Sequence, residues 1–177
     1  MQISNSQIIA DIKVIKTKSH YDFRGEFLET FNNETYNFKD IVGNKIEFVE
    51  DDISLSRQHV LHGLHGDDKT HKLIQCLHGE VFFVVVDMRK ESPTYLKHET
   101  FLLSDKNRLQ ILVPAGCGNA HLCLTEKCIF SYKQSEYYST HKNQFSVRWN
   151  DPTLNIFWPI SNPILSQRDA NASFINA

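Results

Sequence analysis

At 177 residues, with 41% hydrophobic side chains and twelve Phe, the chain has ample material for a packed core; this excludes disorder, and one domain spanning residues 1–177 is the simplest organisation. A net charge of −2 without any basic block excludes a nucleic-acid partner. The longest apolar run, Val81 to Val86, is too short to span a bilayer, so no membrane association is expected.

In chain order, Phe27 to Phe31 reads as extended, Thr35 to Ile41 as a short helix, and Ile46 to Ser54 as extended again. Lys72 to Leu77 reads as a strand, His78-Gly79-Glu80 as a tight turn, and Val81 to Met88 as a second strand. The β-branched and aromatic content of that run favours a strand, and its lack of polar alternation predicts cover on both faces. Further strands are expected at Glu99 to Leu103, Leu109 to Val113, His121 to Leu124 and Ile129 to Gln134, punctuated by Asp105-Lys106-Asn107 and Pro114-Ala115-Gly116. After Pro152 a Pro- and Asn-rich tail wraps the surface, with a turn or short helix near Ser166 to Asp169. Many short strands with few helices predict an all-β sandwich or jelly roll whose mouth or interior gathers polar groups.

The N-terminus shows no charged region followed by an apolar stretch, so no signal peptide is visible. Cys76, Cys117, Cys123 and Cys128 form no C-x-x-C pair and sit among apolar neighbours, as expected for reduced, buried thiols in a cytoplasmic protein.

The chemistry-bearing residues begin with His62-Gly63-Leu64-His65. His65 is a candidate base, since an imidazole near neutrality accepts a carbon-bound proton; the competing reading is a histidine hydrogen-bonded inside the barrel. His62 and His71 raise a metal site as an alternative. Positions three apart on a strand face opposite ways, however, so His62 and His65 are not expected to share an ion, and no metal site is assigned. Lys72 is either a solvated lysine or a cation for a developing enolate oxygen. Tyr132 is either an aromatic of the core or a proton donor opposite the base. Asp169 is either a surface carboxylate or the partner that orients His65. Arg24, beside a Gly turn, is a candidate phosphate clamp. No Gly-rich phosphate loop and no nucleophile elbow are present.

The ordered series Asp22-x-Arg24-Gly25-x-Phe27-x-Glu29, Gly63-Leu64-His65, Lys72-Leu73, Val86-Asp87-Met88-Arg89, Ser92-Pro93-Thr94, Tyr132-Lys133, Tyr137-Tyr138, Trp149-Asn150-Asp151-Pro152, Trp158-Pro159 and Leu165-Ser166-x-x-Asp169 resembles the dTDP-4-dehydrorhamnose 3,5-epimerase family. The resemblance runs from about Asp22 to Asp169. It implies a cupin-like jelly roll acting on nucleotide-linked keto sugars by proton transfer, with no cofactor. Carried over by position, it implies His65 as base, Asp169 as its partner, Lys72 beside the keto oxygen and Tyr132 as the acid. It further implies Arg24 at the diphosphate, and Glu29 and Tyr138 near the nucleotide. A homodimer exchanging N-terminal strands is implied as well, so that part of each pocket comes from the partner.

Two departures mark this chain. His62 stands where the family usually has the Arg of R-G-L-H, and Asn119 where it has the His of P-x-G-x-x-H-G, with His121 two residues later. His62, Asn119 and His121 are therefore expected to contact substrate. The segments Gly118-Asn119-Ala120-His121 and His65-Gly66-Asp67-x-Lys69-Thr70-x-Lys72 are similar to a branch that handles GDP-linked 4-keto heptoses, in surface-polysaccharide synthesis. Alternatives sharing the same pocket are a single-carbon epimerase and a ketoisomerase; alternatives of other classes are a sugar-nucleotide binding module and a metal-dependent cupin dioxygenase.

Overall fold

The run Val81-Phe82-Phe83-Val84-Val85-Val86 is central to the fold because it is covered on both sides. Val81, Phe83 and Val85 point into the space between two sheets, and Phe82, Val84 and Val86 point outward beneath Leu154 and Trp158 of the C-terminal tail. Fully burying a side chain the size of Phe83 stabilises by about 1.5–3 kcal/mol, and here both faces of one strand contribute.

The computed structural model describes residues 1–140 and 143–175. The strands are β1 (Gln2–Asn5), β2 (Lys13–Lys16), β3 (Ser19–Asp22), β4 (Gly25–Leu28), β5 (Glu50–Arg57), β6 (Leu61–Gly66), β7 (Lys72–His78), β8 (Glu80–Asp87), β9 (His98–Ser104), β10 (Leu109–Val113), β11 (Cys117–Cys123), β12 (Lys127–Gln134) and β13 (Phe145–Ser146), with a short helix α1 (Gln167–Ala170). A six-stranded sheet runs β1-β2-β10-β7-β12-β5 and a five-stranded sheet runs β13-β6-β11-β8-β9, while β3 and β4 form a separate hairpin. The fold is all-β, a cupin-like jelly roll of packed antiparallel sheets.

The main core lies between the sheets, where Ile74, Ile111 and Phe130 of one meet Phe83, Val85 and Leu103 of the other. Gly79, at a φ of +77°, makes the turn from β7 to β8; a Cβ there would meet the Lys127 carbonyl and the Thr125 hydroxyl at 2.4 Å. All four cysteines are free and buried.

Thr35 to Ile41 is not a helix. A turn at residues 33–35 leads into extended chain, and Ile46 donates its N–H to the Phe38 carbonyl at 2.9 Å. Tyr36 and Phe38 are buried while Asn37 is exposed, a two-residue period that packs both rings with Ile46 on the outer face of the six-stranded sheet. The strand expected at Ile46 to Ser54 starts at Glu50 and runs on to Arg57, and the extended stretch expected at Phe27 to Phe31 is ordered as a strand only to Leu28. β11 starts four residues before the expected His121, because β6 and β8 hydrogen-bond to it on both sides despite Gly118 and Asn119.

Candidate active site

A cavity of about 300 Å³ opens between the two sheets. On the six-stranded side, β5 and β12 present matched rows: Glu50 lies opposite Gln134, Asp52 opposite Tyr132, and Ser54 opposite Phe130. Each row is a two-residue period on an antiparallel ladder, so all six side chains share one face. Lys72, at the start of β7, faces the same space. From the five-stranded side come His62 and His65 of β6 and Asn119 and His121 of β11.

His62 and His65 do not point to opposite faces as their spacing predicted. His65 pairs with Asn119 and His62 with His121, so three steps on β6 match two on β11. The extra residue is a bulge, which returns both imidazoles to the cavity while Leu61 and Leu64 pack into the outer cluster. Gly63, at a φ of +117°, permits the close approach: a Cβ there would fall 2.5 Å from the Asn119 carbonyl oxygen and 2.7 Å from the Ala120 Cβ.

His65 Nε2 lies 2.5 Å from Asp169 Oδ1. Asp169 is 1% exposed. Ser166, the N-cap of α1, donates its hydroxyl to Asp169 Oδ2 at 2.8 Å and accepts the Asp169 N–H at 3.1 Å. Burial pushes the Asp169 carboxyl up, but the hydrogen bonds from His65, Ser166 and the Gly63 N–H outweigh burial and hold it below its ordinary value. An ionised carboxylate on one ring nitrogen fixes the tautomer and leaves the other nitrogen as the proton acceptor.

Lys72 is 8% exposed. Burial lowers its pKa, opposed by Asp67 and reinforced by Arg168. Burial also raises the Tyr132 phenol, helped by Asp52 and Glu50, so the phenol stays protonated at neutral pH. Gln134 donates to both Glu50 Oε1 at 2.8 Å and Asp52 Oδ2 at 3.1 Å. Burial and the adjacent Glu50 raise the Asp52 carboxyl.

Deeper in, the imidazoles of His62 and His121 stack 4.7 Å apart, and His121 stacks on Phe130 at 3.8 Å. His62 Nε2 hydrogen-bonds Ser56 Oγ at 3.0 Å. Burial depresses the pKa of both, with His121 well below the ordinary value, which favours the neutral form of each ring. Among the described residues no group of three or more His, Cys, Asp or Glu side chains is arranged to hold a metal ion.

Of the residues singled out from sequence, His62, His65, Lys72, Asn119, His121, Tyr132 and Tyr138 line this cavity and Asp169 stands directly behind His65. Asn119 donates its amide to the His65 carbonyl at 3.1 Å rather than leaving it free for a ligand. Arg24 and Glu29 are not there. Arg24 caps the exposed β3–β4 hairpin, its side chain 76% exposed and paired with Asp22 at 2.5 Å. Glu29 accepts from Asn32 and Thr35. The hairpin lies outside both sheets, Glu29 follows directly after its second strand, and neither side chain lines the cavity of its own chain.

Sequence reading missed Glu50, Asp52, Ser54, Phe130, Gln134 and Arg168. The two-residue period around Tyr132 was sufficient to name Phe130 and Gln134. Arg168 was hidden as an unspecified position beside Asp169; it reaches the cavity while donating to Ser146 Oγ at 2.9 Å and Gln144 Oε1 at 3.3 Å.

Residues 6–177 match the family model described as dTDP-4-dehydrorhamnose 3,5-epimerase. A relative named dTDP-4-dehydrorhamnose 3,5-epimerase from Salmonella typhimurium is 39% identical over 180 residues, covering 99% of this chain and 97% of the relative. The crystal structure of a Legionella pneumophila dTDP-6-deoxy-D-glucose-3,5-epimerase in complex with dTDP-4-keto-L-rhamnose superposes with a TM-score of 0.90 at 36% identity, covering 99% of this chain and 93% of the other. A 3'-monoepimerase from Streptomyces bikiniensis in complex with dTDP-quinovose superposes with a TM-score of 0.87 at 27% identity, covering 97% and 86%. With a full-length family match, a close relative spanning nearly its whole length and a shared fold, the chain belongs to the dTDP-4-dehydrorhamnose 3,5-epimerase family.

Proposed function

We propose that the chain is a cofactor-independent isomerase that inverts carbon 3, carbon 5 or both in a nucleoside-diphosphate 4-keto sugar. The observation that carries this reading is the juxtaposition of His65, backed by Asp169, on one sheet with Tyr132 on the other, across a single cavity that also holds Lys72. A 4-keto group acidifies the hydrogens on the adjacent carbons. His65 takes one as a proton, the electron pair moves onto the carbonyl oxygen, and the Lys72 ammonium stabilises that enolate. Tyr132 returns a proton to carbon from the opposite side, and the ketone re-forms with the centre inverted. The overall change is redox-neutral. A positioned base contributes on the order of 10²–10⁴-fold, and a charge contact to a developing oxyanion about 2.7–4 kcal/mol.

The relatives' names favour a dTDP-linked sugar, and the shared fold of a 3'-monoepimerase keeps single-carbon inversion within reach of this architecture. His62 and Asn119, standing in place of the family's Arg and His, together with the carboxylates Glu50 and Asp52, favour a substrate that differs from the usual one, with GDP-linked 4-keto heptoses as the second candidate.

The whole chain acts as one domain, in the cytoplasm, as a homodimer. Three exposed aromatics on the hairpin (Tyr21, Phe23 at 98% exposure, and Phe27) and the outward Ile53 and Leu55 of β5 give a second copy apolar surface to cover. Arg24 and Glu29 then serve the neighbouring chain's substrate. Among the described residues no helix is long and apolar enough to cross a membrane.

The test is to incubate the protein in heavy water with 4-keto sugars linked to dTDP and to GDP, following each ring carbon by NMR. Deuterium at carbon 3 or 5 with the inverted product supports the reading; no incorporation into any of these sugars removes it.

A further inference from the structure

Asp52 lies directly across the β5–β12 ladder from Tyr132, and Glu50, one same-face step away, lies across from Gln134. Residues directly opposite on an antiparallel pair hold their Cβ atoms about 4.5–5.5 Å apart on one face of the sheet, here the face that lines the cavity. The Gln134 amide reaches both carboxylates, donating to Glu50 Oε1 at 2.8 Å and to Asp52 Oδ2 at 3.1 Å, and the Tyr138 N–H donates to Glu50 Oε2 at 3.0 Å. These contacts come from neutral groups. They fix the two acids side by side without cancelling their charge, whereas Asp51, between them on the outward face, is paired with Lys133.

Two like charges in one cavity are costly, and they act on whatever ionises beside them. The cavity also holds two cations, Lys72 of β7 and Arg168 of α1, and a second phenol, Tyr138. From the opposite sheet His62, His65 and His121 face it. The cations favour a phenolate at Tyr132, while burial keeps His62 and His121 toward their neutral forms. Among the described residues that line the cavity, Glu50 and Asp52 are the carboxylates, and so the groups that oppose the cations at the phenol.

On the reading above, on which this inference rests, Tyr132 has to meet each substrate as a phenol. It gives its proton to carbon, and the phenolate left behind has to regain one while His65 releases the one it took. We propose that Asp52, with Glu50 beside it, is a positioning residue for the proton donor: two fixed negative charges keep Tyr132 in the phenol form that inversion requires and return it to that form after each turnover. Removing the charge of Asp52 leaves the base untouched, so such a variant still draws hydrogen from the sugar but increasingly fails to invert as pH rises.

The decisive variant is Asp52→Asn, which keeps an acceptor for Gln134. With tyrosines labelled at the ring carbon that bears the hydroxyl, NMR follows the ionisation of each phenol without any substrate, and the signal missing from Tyr132→Phe is that of Tyr132. At a fixed alkaline pH the ratio of phenolate to phenol at Tyr132 is expected to be about three- to tenfold higher in Asp52→Asn than in the wild-type protein. Glu50→Gln should raise it less, because its charge lies about 7 Å further along the strand. Asp51→Asn removes the same charge from the outward face and should leave the ratio unchanged. In heavy water with a 4-keto sugar, the ratio of deuterium incorporated to centres inverted should climb with pH in Asp52→Asn and hold steady over the same range in the wild-type protein. Near-UV circular dichroism establishes that each variant is folded; should Asp52→Asn fail to fold, Glu50→Gln decides alone, with the same sign. An unchanged Tyr132 titration in the folded variant, a change of equal size in Asp51→Asn, or exchange and inversion that decline together at every pH overturns the assignment. Failure of the epimerase reading looks different: the Tyr132 titration moves as stated while no 4-keto sugar exchanges deuterium.

Discussion

Asp169 Oδ1 lies 2.5 Å from His65 Nε2, tying a four-residue helix near the end of the chain to a strand 104 residues earlier. The carboxylate is nearly inaccessible and is itself held by Ser166, so its geometry is set before any substrate arrives. Asp169→Asn keeps the size and removes the charge that favours an imidazolium. We expect kcat to drop by about 10²–10⁴-fold with a much smaller change in KM, measured by steady-state kinetics. Ser166→Ala removes both the N-cap and the second hold on Asp169; it is expected to cost about 1 kcal/mol in stability by denaturant titration and to slow turnover less than Asp169→Asn.

We expect the alkaline side of the pH–rate profile to report on Lys72. Burial lowers the Lys72 pKa and raises that of Tyr132, so it makes the ammonium easier to lose and the phenol harder to ionise. Activity is therefore predicted to fall at a pH below the ordinary lysine value of ~10.4. In Lys72→Arg, whose guanidinium does not titrate, the residual activity loses that limb. A limb unchanged by this substitution would assign it to another group.

Stability has its own pH dependence, carried by the stacked imidazoles. His121 faces His62 and His65, with Asp169 beyond, and burial depresses the pKa of both His121 and His62. When pH drops below the unfolded histidine value of ~6.5, the unfolded chain takes up protons that the folded chain refuses. That stability is fully present above this value and is lost as pH falls toward the folded pKa. Asp169, also depressed, adds a second loss at lower pH, below the ordinary carboxylate value of ~3.9. Thermal midpoints should decline between pH 6.5 and 5, and His121→Phe should flatten that decline.

Much of this was legible in the residues themselves. The strands β7, β8, β10 and β12 stand out because β-branched and aromatic runs bounded by turns have few other solutions. β1 and β2 do not: each has only four residues, and Lys-Val-Ile-Lys of β2 becomes a strand because Val14 and Ile15 find Ile111 and Gln110 far along the chain. β6 carries two glycines and two histidines, a poor strand by propensity, and is held by β11. Several residues that gather at the cavity were readable as residue types: His65, Lys72, Tyr132 and Asp169 were all named. What was not readable was the face on which His62 lies, because one bulged residue reverses the parity of a strand. Period-two reasoning is reliable only where the register is unbroken, as along β5 and β12.

That bulge yields a prediction for Gly63→Ala. The new Cβ would meet the Asn119 carbonyl and the Ala120 side chain at distances no real contact shows, at a φ that disfavours any side chain. We expect a loss of at least ~2 kcal/mol in unfolding free energy by denaturant titration, with activity falling further than stability because β6 presents both His62 and His65.

The central claim is that His65 removes a carbon-bound proton and that Tyr132 delivers one from the opposite sheet. The most direct measurement follows solvent deuterium into the 4-keto sugar, carbon by carbon, for the wild-type protein, His65→Asn and Tyr132→Phe. The wild-type protein should show label together with inversion, His65→Asn should show neither, and Tyr132→Phe should show label without inversion. Incorporation at wild-type rate in His65→Asn, or normal inversion in Tyr132→Phe, would contradict the assignment.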